Sequence, residues 1–166
     1  MADVVELILA DHRRFEELLR DLRNIEADRP SLRSQLAELL VAHAEAEELH
    51  VYPQLRKKAA DDEEIEHGEK EHTEINQALL AFLELEDTSS EEYDEKLEEL
   101  SETVNHHTNE EEQTLLNDAR ENLPGAERFR LGEAFGSERK RQMDTNCGTV
   151  ENLRYVLNKQ QGKVDS

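Results

Sequence analysis

HAEAEELHVYP, residues 43–53, decides how the rest of the chain is read. It continues an apolar stripe, Leu32, Leu36, Leu39 and Leu40, whose steps of three and four mark one face of a helix. His43 follows Leu40 by three, so an imidazole takes the next inward position. Glu47 comes four residues later and projects beside it, and Val51 and Leu55 resume the stripe. A helix-bundle core is built from Leu, Ile and Val, and an unpaired carboxylate in that register is costly to bury.

Working outward, the same interruption recurs in each helix the sequence predicts. The first, about residues 3–26, carries Val5, Ile8, Phe15, Leu19 and Leu22, with His12 four after Ile8. The second runs over about 31–58, after a break at Asp28-Arg29-Pro30-Ser31, and Pro53 predicts a kink or early stop in it. The third opens near Asp61, weakly capped through Glu64, and carries Ile65, Ile75, Leu79 and Phe82 to about Leu85, with His72 three before Ile75. Ser89 with Glu92 reads as a capping box for the fourth, whose stripe is Tyr93, Leu97, Leu100, Val104 and Leu115. His107 lies on that stripe and Glu111 follows it by four, whereas His106 shares a polar face with Glu99, Glu102, Glu110 and Gln113 and is expected to face water.

Four similar helices joined by short breaks predict an all-α fold, an antiparallel up-down four-helix bundle over residues 1–123. Residues 124–166 predict a short C-terminal helical extension and a flexible tail. Phe129, Leu131 and Phe135 there need somewhere to bury, a helix is expected to end before Gly136, and another turn is expected around Leu153 and Val156.

Twenty Lys and Arg against 41 Asp and Glu leave 166 residues with a net charge of −21. That argues against nucleic acid and anionic membrane surfaces, and leans toward a self-repelling monomer or weak dimer. Six glycines and three prolines are too few to punctuate an all-β chain. No apolar run is long enough to span a bilayer. Met1-Ala2-Asp3 and a run broken at Glu6, Asp11 and His12 do not match a secretory leader, and the single Cys147 fits a reducing cytoplasm. Cys147 reads as an ordinary free thiol rather than a redox reporter.

Four inward histidines, one per helix, with the pairs His43–Glu47 and His107–Glu111, predict a metal site that grips one ion or bridges two. Imidazole with carboxylate suits Fe, Mn or Zn over Mg or Ca.

Asp11-His12-Arg13, the run at 43–53, EKEHTEI at 69–75 and HHTNEEEQTLL at 106–116 resemble the hemerythrin-like, HHE cation-binding family over about residues 3–120. The resemblance implies a non-haem di-iron centre, oxo- or hydroxo-bridged, held by His12, His43, Glu47, His72, His107 and Glu111, with the two carboxylates bridging. Family members transport, store or sense oxygen, or handle iron, nitric oxide or peroxide.

The sequence departs from the pattern at Gly68, where oxygen-carrying hemerythrins hold a second histidine four before the one matching His72. His67, one step round the helix, either reaches the metal or is exposed, and Glu69 and Glu71 are other candidates. Asn117 stands where a proline often follows the last motif. His50 is expected one turn below Glu47, as a partner of a bridging carboxylate or a satisfied polar core residue. Glu16 offers either an extra carboxylate or an exposed partner for an arginine, and Tyr52 either a hydrogen bond near the site or packing.

A lost neutral imidazole at Gly68 favours the ferric state and opens a position. The expectation is therefore a di-iron protein that reacts with or senses O2, peroxide or nitric oxide; as an enzyme it would be a peroxidase- or catalase-like oxidoreductase. One alternative is a di-iron oxygenase acting on a small organic substrate in a biosynthetic pathway, which needs a pocket for that substrate beside the metal. Another is an acidic interaction module whose metal is structural.

Overall fold

A computed structural model describes residues 2–58 and 60–165, the last three by backbone alone, and the regular elements among them are all helices. Helix α1 spans Val4–Asp21, opened by Asp3, whose Oδ1 accepts from the Val5 amide at 2.8 Å. Helix α2 spans Arg29–Ala46, with Pro30 in its first turn and Asp28 accepting from Ser31. A π-helical turn, Glu47–Val51, joins it to α3, Tyr52–Lys58. The wide turn lies just ahead of Pro53, whose ring crowds the carbonyl four residues back and whose nitrogen has no hydrogen to donate. The helix continues through Pro53 to Lys58, so the early stop does not occur.

Helix α4 spans Asp62–Leu83 and α5 spans Glu91–Gln113. Two expected caps change. Asp61 stands at the start of α4, but its side chain makes no capping hydrogen bond. Ser90, not Ser89, caps α5, its Oγ accepting from the Tyr93 amide at 3.1 Å. The fourth predicted helix breaks at Thr114 and continues as α6, Leu115–Asn122.

Cross-helix contacts give the directions. Arg13 meets Glu112 and Arg23 meets Glu98; Asp11 meets His43 and the Arg23 carbonyl accepts from Arg29; Glu47 meets His72 and Arg33 meets the Phe82 carbonyl; Glu71 meets His107 and the Phe82 ring packs at a tilt against Tyr93. As one number rises its partner falls, so neighbouring helices run antiparallel.

The apolar core is divided in two. Phe15, Leu19, Leu36, Leu79, Phe82 and Leu97 lead one cluster, and Val5, Ile8, Val51, Leu55, Ile65 and Leu115 the other. Along each helix the inward histidine falls between them, so the polar residues form a layer roofed and floored by hydrocarbon.

Beyond Leu123 the expected helical extension forms as two helices, and the expected helix end before Gly136 is corrected. The chain forms α7, Gly125–Asp144, running straight through Gly136, and α8, Val150–Asp165. Helix α7 lies over α1 and α2. Phe135 is buried edge-on to His43, Leu131 is buried beside it, and Phe129 stays exposed. Gly132 lets α7 come close: a Cβ there would sit 2.1 Å from the Ala2 carbonyl oxygen. Helix α8 lies along α4, with Asn76 donating to Gln160 and Arg154 near Glu84, and it buries Leu153 and Val156. Helix α2, packed by α1, α4 and α7, is enclosed on most sides, which accounts for its buried Ala37, Val41, Ala42, Ala44 and Ala46. Three consecutive basic residues on α7 are held in ion pairs, Arg139 to Asp11, Lys140 to Asp144 and Arg141 to Glu138. Cys147 is buried with its thiol donating to the Glu38 carbonyl, and burial pushes its pKa up to about 11. Among the described residues no helix is long and apolar enough to cross a membrane.

Candidate metal centre

The layer between the two apolar clusters holds His12 from α1, His43 from α2, Glu47 from the π-turn, His72 from α4, and His107 and Glu111 from α5. All six are buried, Glu47 fully. Ligand atoms of Glu47, His72, His107 and Glu111 lie within 4.8 Å of one another, as do those of His12, His43 and Glu111. The two sets overlap at Glu111.

Each imidazole turns one nitrogen to the centre and one away from it. Inward, His43 and His72 Nε2 lie 3.0 and 3.2 Å from Glu47 Oε1. His12 and His107 Nε2 lie 3.2 and 3.4 Å from the two oxygens of Glu111. Outward, Nδ1 of His12 meets Glu112 at 3.2 Å, His43 meets Asp11 at 2.7 Å, and His107 meets Glu71 at 2.8 Å. His72 Nδ1 approaches Glu48 at 3.5 Å, beyond good hydrogen-bond geometry.

These outer carboxylates form a closed cycle. Asp11 of α1 serves the histidine of α2; Glu48, after α2, faces that of α4; Glu71 of α4 serves α5; Glu112 of α5 serves α1. Each is the sequence neighbour of an inward residue: Asp11 of His12, Glu48 of Glu47, Glu71 of His72, Glu112 of Glu111. Glu71 enters the sequence reading only as a possible ligand, and the others only as letters of a motif. A carboxylate on Nδ1 fixes the tautomer and leaves Nε2 free for a ligand bond. Two of them are themselves anchored, Asp11 by Arg139 and Glu112 by Arg13, whose Nη2 donates to both carboxylate oxygens.

Nε2 of His12, His43 and His107, both oxygens of Glu47 and Oε1 of Glu111 are buried without a hydrogen-bond partner. Buried polar atoms are normally paired, and this many facing one point is the donor set of a metal site. The electrostatics agree. Burial pulls the His43 pKa down, but Glu47 and Asp11 outweigh it and push it up to about 10. Burial likewise opposes the charge of His72, and Glu47 with Glu48 raises its pKa well above the ordinary value. Burial would raise Glu111, yet His107 and His12 hold it well below the carboxylate range. The two central carboxylates demand positive charge, which protons or metal ions can supply.

Tyr52 belongs to this centre. Its hydroxyl donates to Glu111 Oε2 at 2.6 Å, its ring stacks on His72 at 5.5 Å between centroids, and burial beside Glu111 drives its pKa well above 10.0. Gly68 makes this possible, because a Cβ there would stand 2.9 Å from the Tyr52 hydroxyl.

The remaining candidates point elsewhere. His50 is half-buried and faces Glu138 of α7 at 3.4 Å. Glu16 pairs with Arg13 and Glu69 with Arg56 at the surface. His67 lies outside the layer, between Glu71 and Glu110. One small cavity, about 10 Å³, adjoins the layer, lined by Phe15, Leu40, Ile75 and Val104 with His43, His72 and His107. It is about the size of one water.

The hemerythrin HHE cation binding domain matches residues 3–119. No curated protein matches the chain. A crystal structure described as a hemerythrin HHE cation binding domain-containing protein from Mycobacterium kansasii superposes with a TM-score of 0.81 at 21% identity. The match covers 93% of this chain and 99% of that one, more than residues 3–119 can hold, so the likeness of fold extends into α7 and α8.

Proposed function

This chain belongs to the hemerythrin HHE cation-binding family, and from that premise we propose that its buried layer holds two iron ions which react with or sense O2, peroxide or nitric oxide. The observation that carries the reading is the pair of overlapping donor sets joined at Glu111, with the inward atoms of His12, His43, His107 and Glu47 and one oxygen of Glu111 unpaired. His12 and His43 would serve one ion, His72 and His107 the other, and Glu47 and Glu111 both.

Bound there, iron supplies one-electron redox chemistry toward small oxygen and nitrogen species. The protein's own part is positional. Asp11, Glu71 and Glu112 fix the imidazole rings, and the two apolar clusters keep bulk water out. Tyr52 holds a proton at its hydroxyl oxygen, 2.6 Å from Glu111, and so limits the charge that carboxylate places on a metal. The adjoining cavity of about 10 Å³ matches a ligand no larger than one water. An organic substrate needs roughly 300 Å³ or more, which weighs against the oxygenase reading.

The test is metal content per chain in freshly purified protein, with optical spectra before and after peroxide. About two irons, with near-ultraviolet bands that peroxide alters, are expected. A folded protein with no transition metal and no uptake of ferrous iron overturns the reading.

A further inference from the structure

We propose a second cation site on the outer face of α4 and α5, formed by His67, Glu71, His106 and Glu110. Two His-x-x-x-Glu units face each other there across antiparallel helices, His67–Glu71 and His106–Glu110. Within each unit the side chains project together, as in the buried centre. One ligand atom from each of the four residues lies within 4.8 Å of the other three.

The spacing fits one ion. Two ligand atoms about 2.0 to 2.1 Å from a tetrahedral metal stand roughly 3.3 Å apart. Glu71 Oε2 lies 3.2 Å from His106 Nε2 and 3.3 Å from His67 Nε2, and Glu110 Oε1 lies 3.5 Å from His106 Nε2. His67 Nε2 meets Glu110 Oε2 more closely, at 2.7 Å, a hydrogen bond that an ion would replace.

An independent observation points the same way. The Glu71 side chain is 5% exposed, and its Oε1 is taken by His107. Its Oε2 is buried without a hydrogen-bond partner and aims at the two outer imidazoles. His67 and His106 are more than half exposed, so an ion arriving from solvent reaches the site directly. Two imidazoles and two carboxylates suit a divalent first-row transition ion rather than magnesium or calcium. Glu71 would then bridge this surface site to the hydrogen bond that orients His107.

The experiment equilibrates the intact, iron-loaded chain with zinc and counts both metals by elemental analysis. One zinc per chain is expected beyond the iron, and zinc-edge X-ray absorption should show imidazole nitrogen at about 2.0 to 2.1 Å. His67→Ala and His106→Ala should each weaken zinc binding by roughly tenfold or more and leave iron content unchanged. Both substitutions are at exposed positions, and circular dichroism checks the fold. Absence of bound zinc, or zinc binding indifferent to both substitutions, overturns the proposal. A chain that holds no iron must still bind zinc through His106, so this inference and the buried-centre reading fail separately.

Discussion

A Cβ on Gly68 would meet the Tyr52 hydroxyl at 2.9 Å and two of its ring carbons at 3.3 Å, so the residues at 52 and 68 are chosen together. Where oxygen-carrying hemerythrins place a second histidine on this helix, the space here belongs to a phenol bonded to Glu111. Gly68→Ala would gain about 1 kcal/mol of helix propensity, but overpacking against Tyr52 costs about 1–3 kcal/mol. The substitution should destabilise the metal-free protein, and do so less when Tyr52 is already Phe. Urea unfolding of the wild type, both single variants and the double variant measures that coupling; a coupling of zero would show that the two positions are independent. Tyr52 was legible in sequence as a neighbour of the site. Its contact with Gly68 was not, because it joins α3 to α4.

Successive residues of a helix point about 100° apart, so a helix that sends one side chain to the centre turns its neighbour toward the adjacent helix. The cycle of outer carboxylates follows from this, with Asp11 beside inward His12 but bonded to His43 on α2. Asp11→Asn keeps the size of the side chain and removes its charge, and it should lower metal affinity by about 10- to 100-fold. Glu16→Gln, on the same helix but paired with Arg13 at the surface, should leave it unchanged. Competition against a chelator distinguishes the two; equal effects would mean that only the overall acidity of α1 matters. The inward residues were readable from each stripe, whereas the pairing of one helix's acid with the next helix's histidine was not. Pro53 marked an irregularity in this helix from sequence, but not that it would take the form of a π-turn.

Over the whole molecule, protons and metal ions compete for the same buried charge. The His43 pKa is about 10 in the folded chain against 6.5 for the free side chain, and His72 and His107 are raised as well. A raised folded-state pKa stabilises fully below the unfolded value and loses that contribution as pH climbs through the folded one. The metal-free protein should therefore lose stability as pH rises from about 6.5 to about 10. The loaded protein should not, because metal takes the place of the protons on the same imidazoles. Melting temperatures of chelated and loaded protein across that range test this: the gap should widen with pH, and a constant gap would show that the histidines carry no protons in the metal-free state. Helix α7 acts at this scale too, since Phe135 covers His43 and Arg139 anchors Asp11.

The sequence by itself determined the helical class, the four stripes and the six residues that converge between them. Helical periodicity is local: a residue's phase within its stripe settles whether it points inward. Tertiary structure decided what lies opposite. The Asp11–His43 bond, the Tyr52–Gly68 fit, the covering of α2 by α7 and of α4 by α8, and the meeting of His67 with His106 all join residues far apart in the chain. They depend on the distance and rotation between helices, which the periodicity of either helix alone does not contain.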